Sequence, residues 1–171
     1  MPAAQPRPTV TERLLVGARE LLAREGVSAL TARKVASESG RSTMCVYTAF
    51  GNVSGMLDAV YRDVADELTA ELTEGAPAQR YRTWATAHPE LYHLLFDVDL
   101  HASGVDPSRR SALVATIAET LSPDDCERGS AIWAILHGVT SLERIDGDAG
   151  PALTALGGHG DGALRAALPS S

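Results

Sequence analysis

Along most of the chain, apolar residues return every three or four positions, and nowhere do they alternate as a strand requires. The first stripe, Leu14, Ala18, Leu21 and Leu22, follows Thr9 and Glu12, which are spaced as a capping box; Gly26 supplies a stop. Thr31 and Ser42 are placed to cap two short helices separated by the turn Ser39-Gly40-Arg41. Ala36 is small enough to let those helices approach, Gly40 can take the positive φ of the turn, and Val35 and Val46 face each other in the crook. The pattern predicts a helix-turn-helix over 31–50, its second helix (42–50) able to enter a DNA major groove. On this stretch alone, an ordinary helical corner has the same pattern.

Beyond Gly51-Asn52, the stripe Val53, Leu57, Val60, Val64, Leu68 and Leu72 predicts a long helix over 53–73. Further helices are predicted over 79–88, over 89–97 with Pro89 in the first turn, and over 107–121, with a loop at 102–106. Ser122-Pro123-Asp124-Asp125 reads as a helix start: a cap, a first-turn proline and two acids at the positive dipole end. The helix that follows, to about 145, has a wide apolar arc of Ile132, Trp133, Ile135, Leu136, Val139 and Leu142. Such an arc is expected to be buried on more than one side, one side being a second subunit. Six glycines in the last 25 residues leave two short helices, 151–156 and 162–168. The expected fold is all-α: a disordered arm over 1–8, a three-helix head over 9–52 and a helical bundle over 53–171.

Charge changes the picture in one respect. The 171 residues carry a net −7, which at first argues against nucleic acid. Residues 1–60, however, hold seven Lys/Arg against five acids, so the head carries +2 and the other 111 residues −9. A mildly basic head on an acidic body fits contact with DNA at the N-terminal region. A hydrophobic content of 44% supports a real core, and no apolar run is long enough to span a membrane. The N-terminus lacks an apolar signal core. Cys45 and Cys126 stand in unrelated contexts, which points to a reducing, cytoplasmic setting rather than to disulfides or zinc. His88, His93, His101, His137 and His159 include no i,i+4 pair and no cysteine at ligand spacing, so no metal is expected. Neither a cofactor fingerprint nor a nucleophile motif is present, and no catalytic residue is expected.

Several motifs carry a resemblance. Arg24-Glu25-Gly26, Leu30-Thr31-Ala32-Arg33-Lys34-Val35-Ala36, Gly40, Val46-Tyr47-Thr48-Ala49-Phe50-Gly51 and Leu57 resemble, in order and spacing, the head of the TetR family of bacterial transcriptional regulators. His88-Pro89-Glu90-Leu91-Tyr92 and Trp133-Ala134-Ile135-Leu136-His137-Gly138 are similar to one class of that family's C-terminal domains.

The resemblance implies a homodimeric, ligand-responsive regulator, most often a repressor, released from a palindromic double-stranded operator by a small-molecule effector. It implies that Thr31, Ser42 and Tyr47 contact phosphates, supported by Arg33 or Lys34, while Thr43, Met44 and Thr48 lie along the groove-facing side of the second helix. Arg41 starts that helix, and its other groove-facing residues offer no Arg, Lys, Asn or Gln for base edges. Phosphate placement and DNA shape should therefore weigh more than direct readout. Where relatives often carry a lysine at the start of helix four, this chain has Gly51-Asn52-Val53-Ser54, leaving Asn52 or Ser54 as an uncharged contact. Dimerisation is expected through the helix at 123–145 and the C-terminal segment. Trp84, His88, Tyr92, Phe96, Trp133 and His137 either line an apolar effector pocket with a few polar groups or form an aromatic core with satisfied histidines. The alternatives are a helical small-molecule-binding protein with a weak or vestigial head, motivated by the missing lysine and the negative charge, and an enzyme on an α-bundle.

Overall fold

The computed structural model describes residues 8–146. The C-terminal segment with its two expected short helices, and all of the arm except Pro8, lie outside the described residues. Those residues form eight α-helices and no strand: α1 (Val10–Glu25), α2 (Ala32–Glu38), α3 (Thr43–Phe50), α4 (Val53–Leu72), α5 (Pro77–Ala87), α6 (Pro89–Phe96), α7 (Ser108–Leu121) and α8 (Cys126–Asp146). A single 3-10 turn, Val27–Ala29, leads from α1 toward α2. None of these helices is long and apolar enough to cross a membrane.

The helix starts follow local chemistry. Thr9 Oγ1 accepts the Glu12 N–H at 3.2 Å and the Glu12 carboxylate accepts the Thr9 N–H at 2.6 Å, which completes the capping box. Thr31 Oγ1 caps α2 through the Lys34 N–H, and Asn52 Oδ1 caps α4 through the Gly55 N–H at 2.7 Å. Ser42 occupies the N-cap position of α3 without capping it, because its hydroxyl lies against Cys45 Sγ at 3.4 Å. Helix α5 begins at Pro77, two residues before the expected start, since proline serves in a first turn. His88 is the joint between α5 and α6. Helix α8 begins at Cys126 rather than at Pro123: the capping side chain is Asp125, whose Oδ1 accepts the Arg128 N–H at 2.9 Å, while 122–125 form a turn.

The core is continuous from head to body. Val35 and Val46 are buried between α2, α3 and α1, and the stripe of Val60, Val64 and Leu68 runs fully buried along α4. Each such side chain contributes about 1.5–3 kcal/mol on burial. Helix α1 packs on α6 as well as on α4, so the head rests on the body at two places. A Cβ at Gly26, at the end of α1, would lie 2.8 Å from the Glu90 carboxylate of α6. Helices α7 and α8 pack closely where Gly129 meets the Ala118 carbonyl; a Cβ there would collide with that oxygen. The wide arc of α8 divides: Ile132, Leu136 and Val139 are buried within the chain, whereas Leu142 and Ile145 are 39% and 78% exposed.

Candidate nucleic-acid interface and effector groove

With Val46 turned inward, α3 presents Thr43, Met44, Tyr47 and Thr48 outward, and Met44 is 71% exposed. A methionine so exposed on a short helix gains nothing from the core. Exposed Thr31, Arg33, Lys34, Ser42 and Asn52 flank this face, while Arg41 is half-buried with its Nε unpartnered. Thr31 and Asn52 use only acceptor atoms in capping, so the Thr31 hydroxyl hydrogen and the Asn52 amide remain able to donate to a phosphate. Charge is less available than the sequence suggests. Lys34 Nζ pairs with Glu25 at 2.8 Å, and Arg24 is held between Glu25 and Glu38. Among the described residues, Arg33 makes no ion pair.

A groove of about 710 Å³ opens where the end of α6, the α6–α7 loop and the first halves of α7 and α8 meet. Val98, Leu100, Val114 and Trp133 give it apolar walls; Asp97, Asp99, His101 and Arg110 are the ionisable groups among its lining. Arg110 donates to the Leu95 and Val98 carbonyls at 2.7 and 2.6 Å, which pins α7 to the end of α6.

The six residues expected to form a pocket fall in different surroundings among the described residues. Trp133 borders the 710 Å³ groove. Trp84 and His88 border another groove, of about 550 Å³, with Glu71, Glu74 and Arg80, and the Trp84 indole N–H donates to Glu67 at 2.8 Å. Tyr92, Phe96 and His137 pack behind Trp133 as an aromatic cluster. Tyr81 joins them, a residue that sequence reasoning passed over because its partner lies 56 positions away. The Tyr81 and Tyr92 hydroxyls approach His137 Nδ1 at 3.0 and 2.7 Å, and Tyr92 also meets the Ser141 hydroxyl at 3.1 Å. His137 is stacked between Trp133 and Tyr92, and the Arg144 guanidinium sits 4.2 Å over the Tyr92 ring. Each hydroxyl can donate to Nδ1 or accept from it, so the tautomer of His137 sets the direction of this network. Burial holds the His137 pKa below its ordinary value, with Arg110 and Arg144 adding to the effect and Asp97 opposing it. Burial likewise pushes the Tyr81 phenol far up.

The groove is tied to the DNA-facing end of the molecule. Gly104, in the α6–α7 loop with φ +70°, sits so close to Ser54 that a Cβ would lie 2.6 Å from its hydroxyl. Arg109 at the start of α7 grips Asp58 of α4 through two bonds, 2.9 and 3.3 Å. Both contacts fall on the first two turns of α4, immediately after the recognition helix.

A helix-turn-helix with an outward polar face, carried on a helical body with a groove, defines a DNA-binding regulator of transcription. Residues 14–60 match the family described as "Bacterial regulatory proteins, tetR family", and residues 75–152 match "Tetracyclin repressor-like, C-terminal domain". The chain belongs to the TetR family. Its fold is similar to that of the multidrug binding protein EbrR complexed with imidazole, at 14% identity over 100% of both chains with a TM-score of 0.63. It is also similar to a protein of unknown function from Rhodococcus sp. RHA1, at 22% identity over 96% of this chain and 93% of that one, with a TM-score of 0.58. Among curated proteins, none matches.

Proposed function

We propose that this chain is a homodimeric repressor that leaves a palindromic operator when a small molecule occupies the 710 Å³ groove. The observation that carries the reading is the double tie from the groove's loop to α4, Gly104 against Ser54 and Arg109 on Asp58. An occupant that spreads the loop pulls on α4 and, through Asn52, on α3. The shift is limited to the difference in the occupant's affinity for the two states. EbrR, of similar fold, is described as multidrug-binding, which fits a small-molecule effector.

Dimerisation uses the outer faces of α7 and α8. Ala131, Ala134, Gly138, Leu142 and Ile145 recur on one exposed side of α8. Among the described residues, nothing stands within 4 Å of a Cβ built on Gly138, so a second helix can approach there. The two α3 helices must then present about 34–36 Å apart to read successive major grooves. Phosphates are met by Thr31, Ser42, Tyr47, Asn52, Arg33 and Arg41; Lys34 joins them by exchanging Glu25 for a phosphate. Thr43, Met44 and Thr48 face the base edges.

The Glu25 and Glu38 pairs favour one rival, a small-molecule-binding protein whose head is too weakly charged to hold DNA. A mobility-shift assay with the DNA upstream of the chain's own gene separates the two. The regulator gives a discrete complex that weakens steeply with salt. Absence of a complex there and at neighbouring promoters, with ligand binding intact, favours the rival.

A further inference from the structure

Resting on the reading of the 710 Å³ groove as the effector site, we infer that its occupant is an amphipathic organic cation. The apolar walls, Val98, Leu100, Val114 and Trp133, suit a hydrocarbon or aromatic body. Two carboxylates, Asp97 and Asp99, stand in the same lining just past the C-terminal end of α6, where the helix dipole adds negative potential. Arg110 is the one arginine or lysine of the lining, and its Nε and Nη2 already donate to two backbone carbonyls. His101 completes the ionisable groups there.

The two carboxylates differ. Asp97 is faced by His93 at 3.2 Å and by Arg144 at 3.6 Å, so part of its charge is met within the chain. Asp99 accepts the Ala102 N–H at 3.0 Å and, among the described residues, forms no ion pair. Asp99 thus supplies the uncompensated charge. Trp133 has one face covered by the stacked His137, and its ring borders the groove, where indole is the strongest aromatic partner for a cation. An anion of the same shape would instead meet two carboxylates against one arginine, whose position, though not its charge, is fixed by the Leu95 and Val98 carbonyls. The net −9 carried by residues beyond 60 draws cations toward this end of the molecule at long range.

Tetraphenylphosphonium and tetraphenylborate share size and shape and carry opposite charges, so titrating the full chain with each by calorimetry isolates the charge preference. The phosphonium should bind at least about tenfold more tightly, by an amount that shrinks as salt rises. Asp99→Asn should cost the phosphonium about tenfold and leave the borate unchanged or improved. Trp133→Phe, which keeps an aromatic ring in the packing, should weaken the phosphonium several-fold.

Equal binding of the two ions, binding of neither, or a preference that survives Asp99→Asn would overturn the inference. Mobility shifts run beside the titrations keep the two readings apart. Asp99-dependent phosphonium binding that leaves a DNA complex untouched retains the ligand class and overturns the effector role. DNA release by a neutral or anionic compound acting in this groove does the reverse.

Discussion

Arg109 and Asp58, 51 residues apart in sequence, meet side by side, with Nε on one carboxylate oxygen at 2.9 Å and Nη2 on the other at 3.3 Å. Asp58 also receives Arg62 from one turn further along α4. The pair is partly exposed, so Arg109→Ala should cost under about 1 kcal/mol of stability. Its larger effect should fall on coupling. DNA binding without ligand should change less than about threefold, while the ligand concentration that releases DNA should rise several-fold, within the range of about 1–3 kcal/mol usual for coupling between sites. An unchanged release curve would remove this pair from the pathway.

Two roles are proposed for the outward residues of α3. Thr48→Ala removes a single hydrogen-bonding group from the base-facing side and should alter sequence preference at one position, by about 1 kcal/mol. Tyr47→Phe removes the hydroxyl proposed to donate to a phosphate and should weaken all sites alike, about fivefold. Binding-site selection on both variants separates the two; the opposite pattern would exchange the roles.

Gly129 sets how closely α7 and α8 approach. A Cβ there runs into the Ala118 carbonyl, which is backbone and cannot rotate away. Gly129→Ala should therefore destabilise the fold by about 1–3 kcal/mol, read from urea unfolding. Stability equal to that of the parent chain would mean that the two helices part at little cost.

Gly138, nine residues along the same helix, has no described residue within 4 Å of its Cβ side. Gly138→Glu should keep the helical circular-dichroism signal and shift the sedimentation of the chain from dimer to monomer, with loss of operator binding. A dimer that persists would place the interface elsewhere.

The His137 cluster predicts a pH response. Its pKa is depressed in the folded chain relative to the ordinary 6.5, so below that value the unfolded chain binds more protons than the folded one. The stabilisation is complete above pH 6.5 and is lost progressively as pH falls toward the folded-state pKa. Protonation would also fix Nδ1 as a donor toward the Tyr81 and Tyr92 hydroxyls. Thermal melts between neutral and mildly acidic pH should show a falling midpoint, and His137→Gln should flatten that slope. Equal slopes in the two chains would show that another group governs it.

Eight helices were legible in the chain because hydrophobic spacing and capping act within one or two turns: Thr9 with Glu12, Thr31 with Lys34, and the continuous stripe of α4. Their order, with the turn at Gly40, was enough to expect an all-α chain whose head is a helix-turn-helix or an ordinary corner. The resemblance of its motifs to the TetR family decided for a DNA-reading head. Packing between helices settled what local chemistry left open. Asp125 rather than Ser122 caps α8, and from there the helix brings Gly129 onto the Ala118 carbonyl of α7. Lys34 is spent on Glu25 from another helix, and the six aromatic and histidine candidates divide among two grooves and a packed cluster. Tyr81 finds His137 across 56 residues, and Gly104 and Gly129 matter through what stands opposite them. Such contacts depend on the angle and depth at which helices pack, and those are set by the whole core rather than by any one stretch of chain.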